Sequence, residues 1–231
     1  MTVRRPPRLL ADTAYEQLRA RIVSLKIAPG TPLVEMEICA RLRVSRTPVR
    51  AAIERLHQEG LVTMTGKRAA GRAVVAPLTA DDMRELFLMV GALDGVAARL
   101  AAGIELLRRQ RLAAKARAVN EELKQASAGG RPKPSDIPLV QGLDLQFHHL
   151  YEEAASGPRL LAKLHALHAQ RERYVRLYIE RLVHAHGLET SLDEHEAIIA
   201  AIEAGEGDAA DRAAVYNHRH ALLRFASLTE G

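Results

Sequence analysis

Cysteine is nearly absent from this chain. Among 231 residues only Cys39 carries a thiol, which excludes both a disulfide framework and a cysteine zinc site and suits a reducing cytoplasm. Tryptophan is missing and aromatic residues make up 3% of the total. Ala, Leu, Arg and Glu dominate instead, a mixture that favours helices. No apolar run approaches the roughly 18 residues of a membrane helix, and no signal-peptide core is evident. The expectation is a cytoplasmic protein with no membrane partner. What is present is ample: 48% of the residues are hydrophobic, enough to bury a core in one large or two small domains.

Charge is unevenly spread. Residues 1–77 hold 14 Lys/Arg against 6 Asp/Glu, whereas residues 78–231 hold 19 against 22, so the net +5 divides into +8 and −3. A basic first third on a slightly acidic body predicts a polyanion partner for that third alone.

Within it, Val44-Ser45-Arg46-Thr47-Pro48-Val49-Arg50 leads into Ala51–Gly60. Ser45 or Thr47 can cap a helix, and Pro48 falls in its first turn, where a missing N–H costs little. Val49, Ile53 and Leu56 make one apolar stripe. Arg46 and Arg50, four residues apart, project together from another side. Gly60 suits the helix end. A helix with a packed back and two arginines near its start fits a DNA major groove, since guanidinium matches the paired acceptors of guanine and phosphate. A surface helix with solvated arginines would share these features.

The surroundings favour the groove reading. Thr13-Ala-Tyr-Glu16 forms a capping box before Leu18, Ile22 and Leu25. Ala28-Pro-Gly-Thr-Pro32 interrupts, Leu33–Leu42 reads as a second helix, and Arg43-Val44 is a tight turn. Residues 61–64 and 73–75 are β-prone around a basic glycine-flanked turn at 66–71. Helix, helix, helix and ribbon is the order of a winged helix-turn-helix.

Tyr15-Glu-Gln-Leu18, Pro29-Gly-Thr-Pro-Leu33, Val44–Arg50 and Glu59-Gly-Leu-Val62 together resemble the GntR family of bacterial transcription regulators across residues 9–77. The resemblance implies that Ser45, Arg46, Thr47 and Arg50 touch operator DNA, with Lys67, Arg68 and Arg72 on the wing. Pro77-Leu78 closes this first domain, and Thr79-Ala-Asp-Asp82 caps the next helix. Helices are predicted near 80–102, 104–127, 139–155, 158–184, 191–204 and 207–228, the fifth opened by a Ser191–Glu194 capping box. The fold expected is therefore mainly α: a winged helix-turn-helix at 1–77 and an all-α antiparallel bundle at 78–231.

Glu85-Leu-Phe87 with Ala92-Leu-Asp-Gly95, Asp144-Leu-Gln-Phe-His148 and Glu194–Ile199 resemble the FCD effector domain of FadR-type GntR regulators over about residues 80–228. Many relatives carry Arg near Val90-Gly91, which is absent here. Their last ligand histidine aligns with Asn217, while His218 stands one position later.

Asp144 and His148 share a helix face, His195 lies on another helix, and Asn217 or His218 lies on the last. Imidazoles with one carboxylate suit Zn²⁺ or Ni²⁺, and the resemblance implies the same site. An Asp/His pair at helical spacing also occurs as an ordinary core or surface pair. The same cavity is expected to hold a small carboxylate effector, with Arg99, Arg173 or Arg176 as clamp and Tyr174 or Tyr178 as hydrogen-bond donor. The resulting expectation is a metabolite-responsive repressor, homodimeric on a near-palindromic operator and not an enzyme. A metal-dependent hydrolase on a helical bundle is the rival, lacking an evident general base beside the ligands.

Overall fold

Proline sets the first helix. Helix α1 (Pro7–Val23) opens on Pro7, whose fixed φ and missing N–H suit a first-turn position. The Thr13–Glu16 box therefore lies inside the helix and opens nothing. Leu25, expected on its apolar stripe, sits beyond the end with φ 55°. The computed structural model describes residues 7–66, 72–127, 133, 135–182 and 189–226. The chain divides into two units, residues 1–78 and 79–231.

In the first unit, α2 (Glu35–Leu42) turns through Arg43, at φ 55°, into α3 (Arg46–Gln58). Ser45 occupies the position before α3 in extended conformation, but its side chain makes no cap hydrogen bond. Gly60, at φ 73°, takes the chain out of α3. Strand β1 (Val62–Thr65) pairs antiparallel with β2 (Arg72–Val75), Val62 opposite Val75 and Thr65 opposite Arg72. Leu33, expected at the start of α2, is drawn into this ribbon instead: its N–H donates to the Ala73 carbonyl at 2.8 Å. Pro32 bridges Val74, so the Pro29–Leu33 break serves as a third rung beside the wing. The core joins Leu18 and Ile22 of α1 to Val49, Ile53 and Leu56 of α3, with Leu61 and Val75 beneath. Burying each such side chain is worth about 1.5–3 kcal/mol.

The second unit is an antiparallel bundle of α4 (Ala80–Ala102), α5 (Leu106–Ser127), α6 (Ile137–Ala155), α7 (Pro158–Leu182), α8 (Glu189–Ala204) and α9 (Gly207–Ala226). Among its described residues there is no strand. The Thr79 hydroxyl accepts the Asp82 N–H at 3.2 Å, the cap that the sequence predicts. Helix α8 begins at Glu189, ahead of the Ser191 box; Ser191 instead accepts from Arg224 at 3.0 Å. Helix α4 is the centre, packed on α6, α7, α8 and α9. Its inward row runs Phe87, Val90, Ala97, Ala98 and Ala101, interrupted by one fully buried acid, Asp94. Small residues let α9 approach closely. A Cβ on Gly95 would collide with Asp211 and stand 2.9 Å from Val215, and one on Gly91 would stand 3.0 Å from His218 Cβ.

Candidate functional site

Arg46 and Arg50 lie on the exposed side of α3, opposite the buried Val49, Ala52, Ile53 and Leu56. Ser45, Thr47 and Arg72 are exposed or half-exposed. Lys67 and Arg68 fall outside the described residues. Both α3 arginines lean on α2: Arg50 Nε donates to Glu35 at 2.9 Å, and Arg46 Nη2 reaches Met36 Sδ at 2.9 Å. The exposed Arg50–Glu35 ion pair is of a kind worth about 0–1 kcal/mol, so phosphate or guanine can displace it at little cost.

The bundle gathers the metal-type residues. Asp144, His148 and His195 each offer a donor atom within 4.8 Å of the others. Helix α6 supplies the first two because its inward stripe repeats at three and four residues through Val140, Asp144, Phe147, His148 and Tyr151. On α8, His195 Nδ1 stands 3.0 Å from Asn120 Oδ1, and the Asn120 amide nitrogen is committed to the Leu192 carbonyl. Asn120 thus presents its oxygen, which assigns the proton to Nδ1 and the lone pair to Nε2. That Nε2 lies 3.8 Å from Asp144. Phe147 stacks on the ring at 3.8 Å and fixes its plane.

Asp94 organises the other half. His148 Nδ1 at 3.0 Å, Tyr151 OH at 2.6 Å and His218 Nε2 at 2.7 Å all converge on its Oδ2. With Nδ1 donating to Asp94, His148 Nε2 carries a lone pair, yet it is buried without a hydrogen-bond partner. Buried polar atoms rarely stay so. A carboxylate behind an imidazole whose far nitrogen is bare is the arrangement that orients a metal ligand. The donor set fits a divalent ion on that ground.

Asp144 is held below the ordinary carboxylate range: burial opposes its charge, but Arg171, then His148 and His195, outweigh it. Asp94 is likewise held low, burial being overcome by His148 and His218. Burial pushes His195 down to about 3 and His218 down to about 4, against the pull of Asp144 and Asp94 respectively. The His195 and His218 imidazoles are therefore neutral near pH 7, with lone pairs available.

Asn217 and His218 separate. Asn217 lines a cavity of ≈ 30 Å³ with Asp144, Arg171, Tyr178 and Arg224. Its amide nitrogen donates to Glu194 at 2.8 Å, leaving the oxygen for the cavity. His218 belongs instead with Asp94 and His148.

The residues expected at the effector lie apart from this cavity, Tyr178 excepted. Arg99 is half-exposed in the last turn of α4, paired with Asp208 at 2.6 Å and Asp211 at 2.7 Å. Tyr174 donates to Asp82 at 2.6 Å at the opposite end of α4, and Arg173 feels the same two residues. Arg176 pairs with Glu180 at 2.9 Å. None of these four lines the cavity, whereas Tyr178 does. The guanidinium beside Asp144 is Arg171, at 2.6 Å and almost wholly buried. Neither Arg171 nor Asp94 stood out by local spacing. The available signal was a charged residue on a stripe otherwise apolar, which Asp94 gives plainly.

The gntR family of bacterial regulatory proteins matches residues 10–71, and the FCD domain matches residues 85–220. The probable D-xylose utilization operon transcriptional repressor of Paenarthrobacter nicotinovorans is 30% identical over 215 residues, covering 91% of this chain and 88% of that one. The HTH-type transcriptional repressor RspR of Escherichia coli K12 is 27% identical over 218 residues, 90% and 85% of the two chains. The solved structure of E. coli McbR/YncC shares the fold, with a TM-score of 0.73 at 16% identity over 95% of this chain and 98% of that one. Regulators, not hydrolases, surround the sequence. The chain belongs to the GntR family of DNA-binding transcription regulators and carries an FCD domain behind its winged helix.

Proposed function

We propose that the protein is a metabolite-responsive repressor, working as a homodimer on a near-palindromic operator in the bacterial cytoplasm. The two curated relatives named as repressors support that direction of control. Two-fold pairing of α3 helices would match a two-fold operator, with Ser45, Arg46, Thr47 and Arg50 at the base edges and Lys67, Arg68 and Arg72 beside them. In the bundle, Asp144, His148 and His195 would hold a divalent ion, Zn²⁺ or Ni²⁺, with Asn217 oxygen as a weaker neighbour. The ion would supply Lewis-acid affinity for an effector carboxylate.

The observation that carries this reading is the buried, unpartnered His148 Nε2 beside Asp144 and His195. Arg171 is the clamp for the carboxylate in place of Arg99 or Arg173. Because Arg171 already holds Asp144, an entering acid would compete for the same guanidinium. The cavity now has room for one or two waters, so an effector must move side chains on α7 or α9. Such movement is what a ligand needs in order to favour one bundle arrangement over another, and so to shift DNA affinity by differential binding.

The test is a gel-shift titration on DNA flanking the gene, with a panel of small carboxylic acids, before and after chelator treatment. An acid that weakens operator binding only in metal-loaded protein is expected. Operator affinity indifferent to every acid and to the chelator would overturn the sensor reading and leave the DNA-binding one intact.

A further inference from the structure

Five metal-type side chains lie together outside the Asp144 cluster. His149, Glu152 and Glu153 follow at three and four residues on α6, and His165 and His168 are three apart on α7, so each group shares a helix face. The rings of His149 and His165 are 5.1 Å apart, and those of His149 and His168 5.4 Å. His149, Glu152 and His168 each place a donor atom within 4.8 Å of the other two, and His149, Glu153 and His165 do the same.

The inner three hold an unexplained feature. Glu152 is 0% and His168 1% exposed, and Glu152 is held by hydrogen bonds to His168 and Asp94, yet His168 Nδ1 and the buried His149 Nε2 lack a hydrogen-bond partner. The Glu152–His168 contact of 2.6 Å satisfies His168 Nε2 and leaves Nδ1 bare. Two orphaned imidazole nitrogens on facing helices, beside a buried carboxyl, want a partner. Above them Glu153 and His165 are exposed and share His149, which gives an ion a path from solvent to the buried donors.

We propose that His149, Glu152 and His168 form a second divalent transition-metal site, distinct from Asp144–His148–His195, with Glu153 and His165 at its mouth. Two imidazoles and one carboxylate select Zn²⁺ or Ni²⁺ over Mg²⁺ and Ca²⁺, which prefer all-oxygen shells. Position on α6 next to His148 makes this ion a brace between α6 and α7, the helices that also carry Asp144 and Arg171.

Full-length protein stripped with chelator and dialysed against Zn²⁺ gives the test by elemental analysis. Two equivalents per chain are expected. His195→Ala should remove one, His149→Gln the other, and the double variant both, while His165→Ala should keep two. Equal zinc in wild type and His149→Gln overturns the second site whatever happens at His195. Conversely, loss at His149→Gln with none at His195→Ala sinks the Asp144 reading and leaves this one standing. His149 is half-exposed and so tolerates glutamine better than the buried pair would. A Co²⁺ titration of the His195→Ala chain adds a readout without touching the new ligands: a visible ligand-field band is expected, and its absence refutes the site.

Discussion

A single carboxylate, Asp94, decides which nitrogen His148 can offer. With Oδ2 accepting from His148, Tyr151 and His218, the imidazole is turned so that its bare nitrogen faces Asp144. Asp94→Asn keeps the shape but can present N–H where His148 needs an acceptor. Metal affinity should fall about 10–100-fold, measured by competition with a chromophoric chelator; an unchanged constant would show that Asp94 only packs. On the DNA side, Arg50 loses little by leaving Glu35, so Arg50→Ala should weaken operator binding by about 1–3 kcal/mol while leaving the melting temperature nearly constant. A stability loss without a binding loss would contradict the groove assignment. Val90 is fully buried and a Cβ on Gly91 would stand 3.0 Å from His218 Cβ, so the space around positions 90 and 91 is filled by histidine from α9 and by core. Asp144, His148 and His195 were legible as residues because helical spacing and donor type are written in the chain. Arg171 was not, because nothing local distinguishes it from Arg173 or Arg176; only the packing of α7 on α6 chooses among them.

At the scale of elements, α4 is the rod against which the bundle is built, and its close seam with α9 rests on Gly95. Gly95→Ala puts a methyl against Asp211 and Val215, so an overpacking loss of about 1–3 kcal/mol is expected. Two-transition thermal melts would show it: the bundle's transition should drop and the winged unit's stay. A shift confined to the winged unit would refute the seam. Helix identities were readable from periodicity in nearly every case. Helix starts were less so, and both misplaced capping boxes failed for one reason. A Ser/Thr-x-x-Glu pattern caps a helix only when the residues before it leave helical geometry, and neither Pro7–Asp12 nor Glu189–Thr190 does. The Pro29–Leu33 segment shows the same lesson for strands, since its ribbon contact exists only once β2 is beside it.

For the molecule as a whole, buried neutral histidines set an acid limit. His149 and His218, each lowered to about 4 chiefly by burial, and His195, lowered to about 3, refuse protons that the unfolded chain accepts below pH 6.5. Their contribution is whole above pH 6.5 and is lost as pH falls towards 4. Glu152, pushed up to about 9 by burial and by Asp94, runs the other way: its contribution is whole below pH 4.5 and fades as pH climbs. Three histidines outweigh one glutamate between pH 4.5 and 6, so the metal-free bundle should be most stable near neutrality and melt earlier on both sides. Melting temperatures rising steadily down to pH 5 would contradict this balance.

What the chain determined by itself was its division of labour. A basic third with a proline-started, arginine-edged helix and an apolar periodicity of 3.6 beyond it are local properties, fixed by residue order alone, and they are enough for a winged reader on a helical body. What only tertiary structure decided was which polar groups meet. Asp94, Arg171, His168 and Glu152 lie on three helices and acquire chemistry when burial strips them of water and leaves each with whichever neighbour the packing supplies.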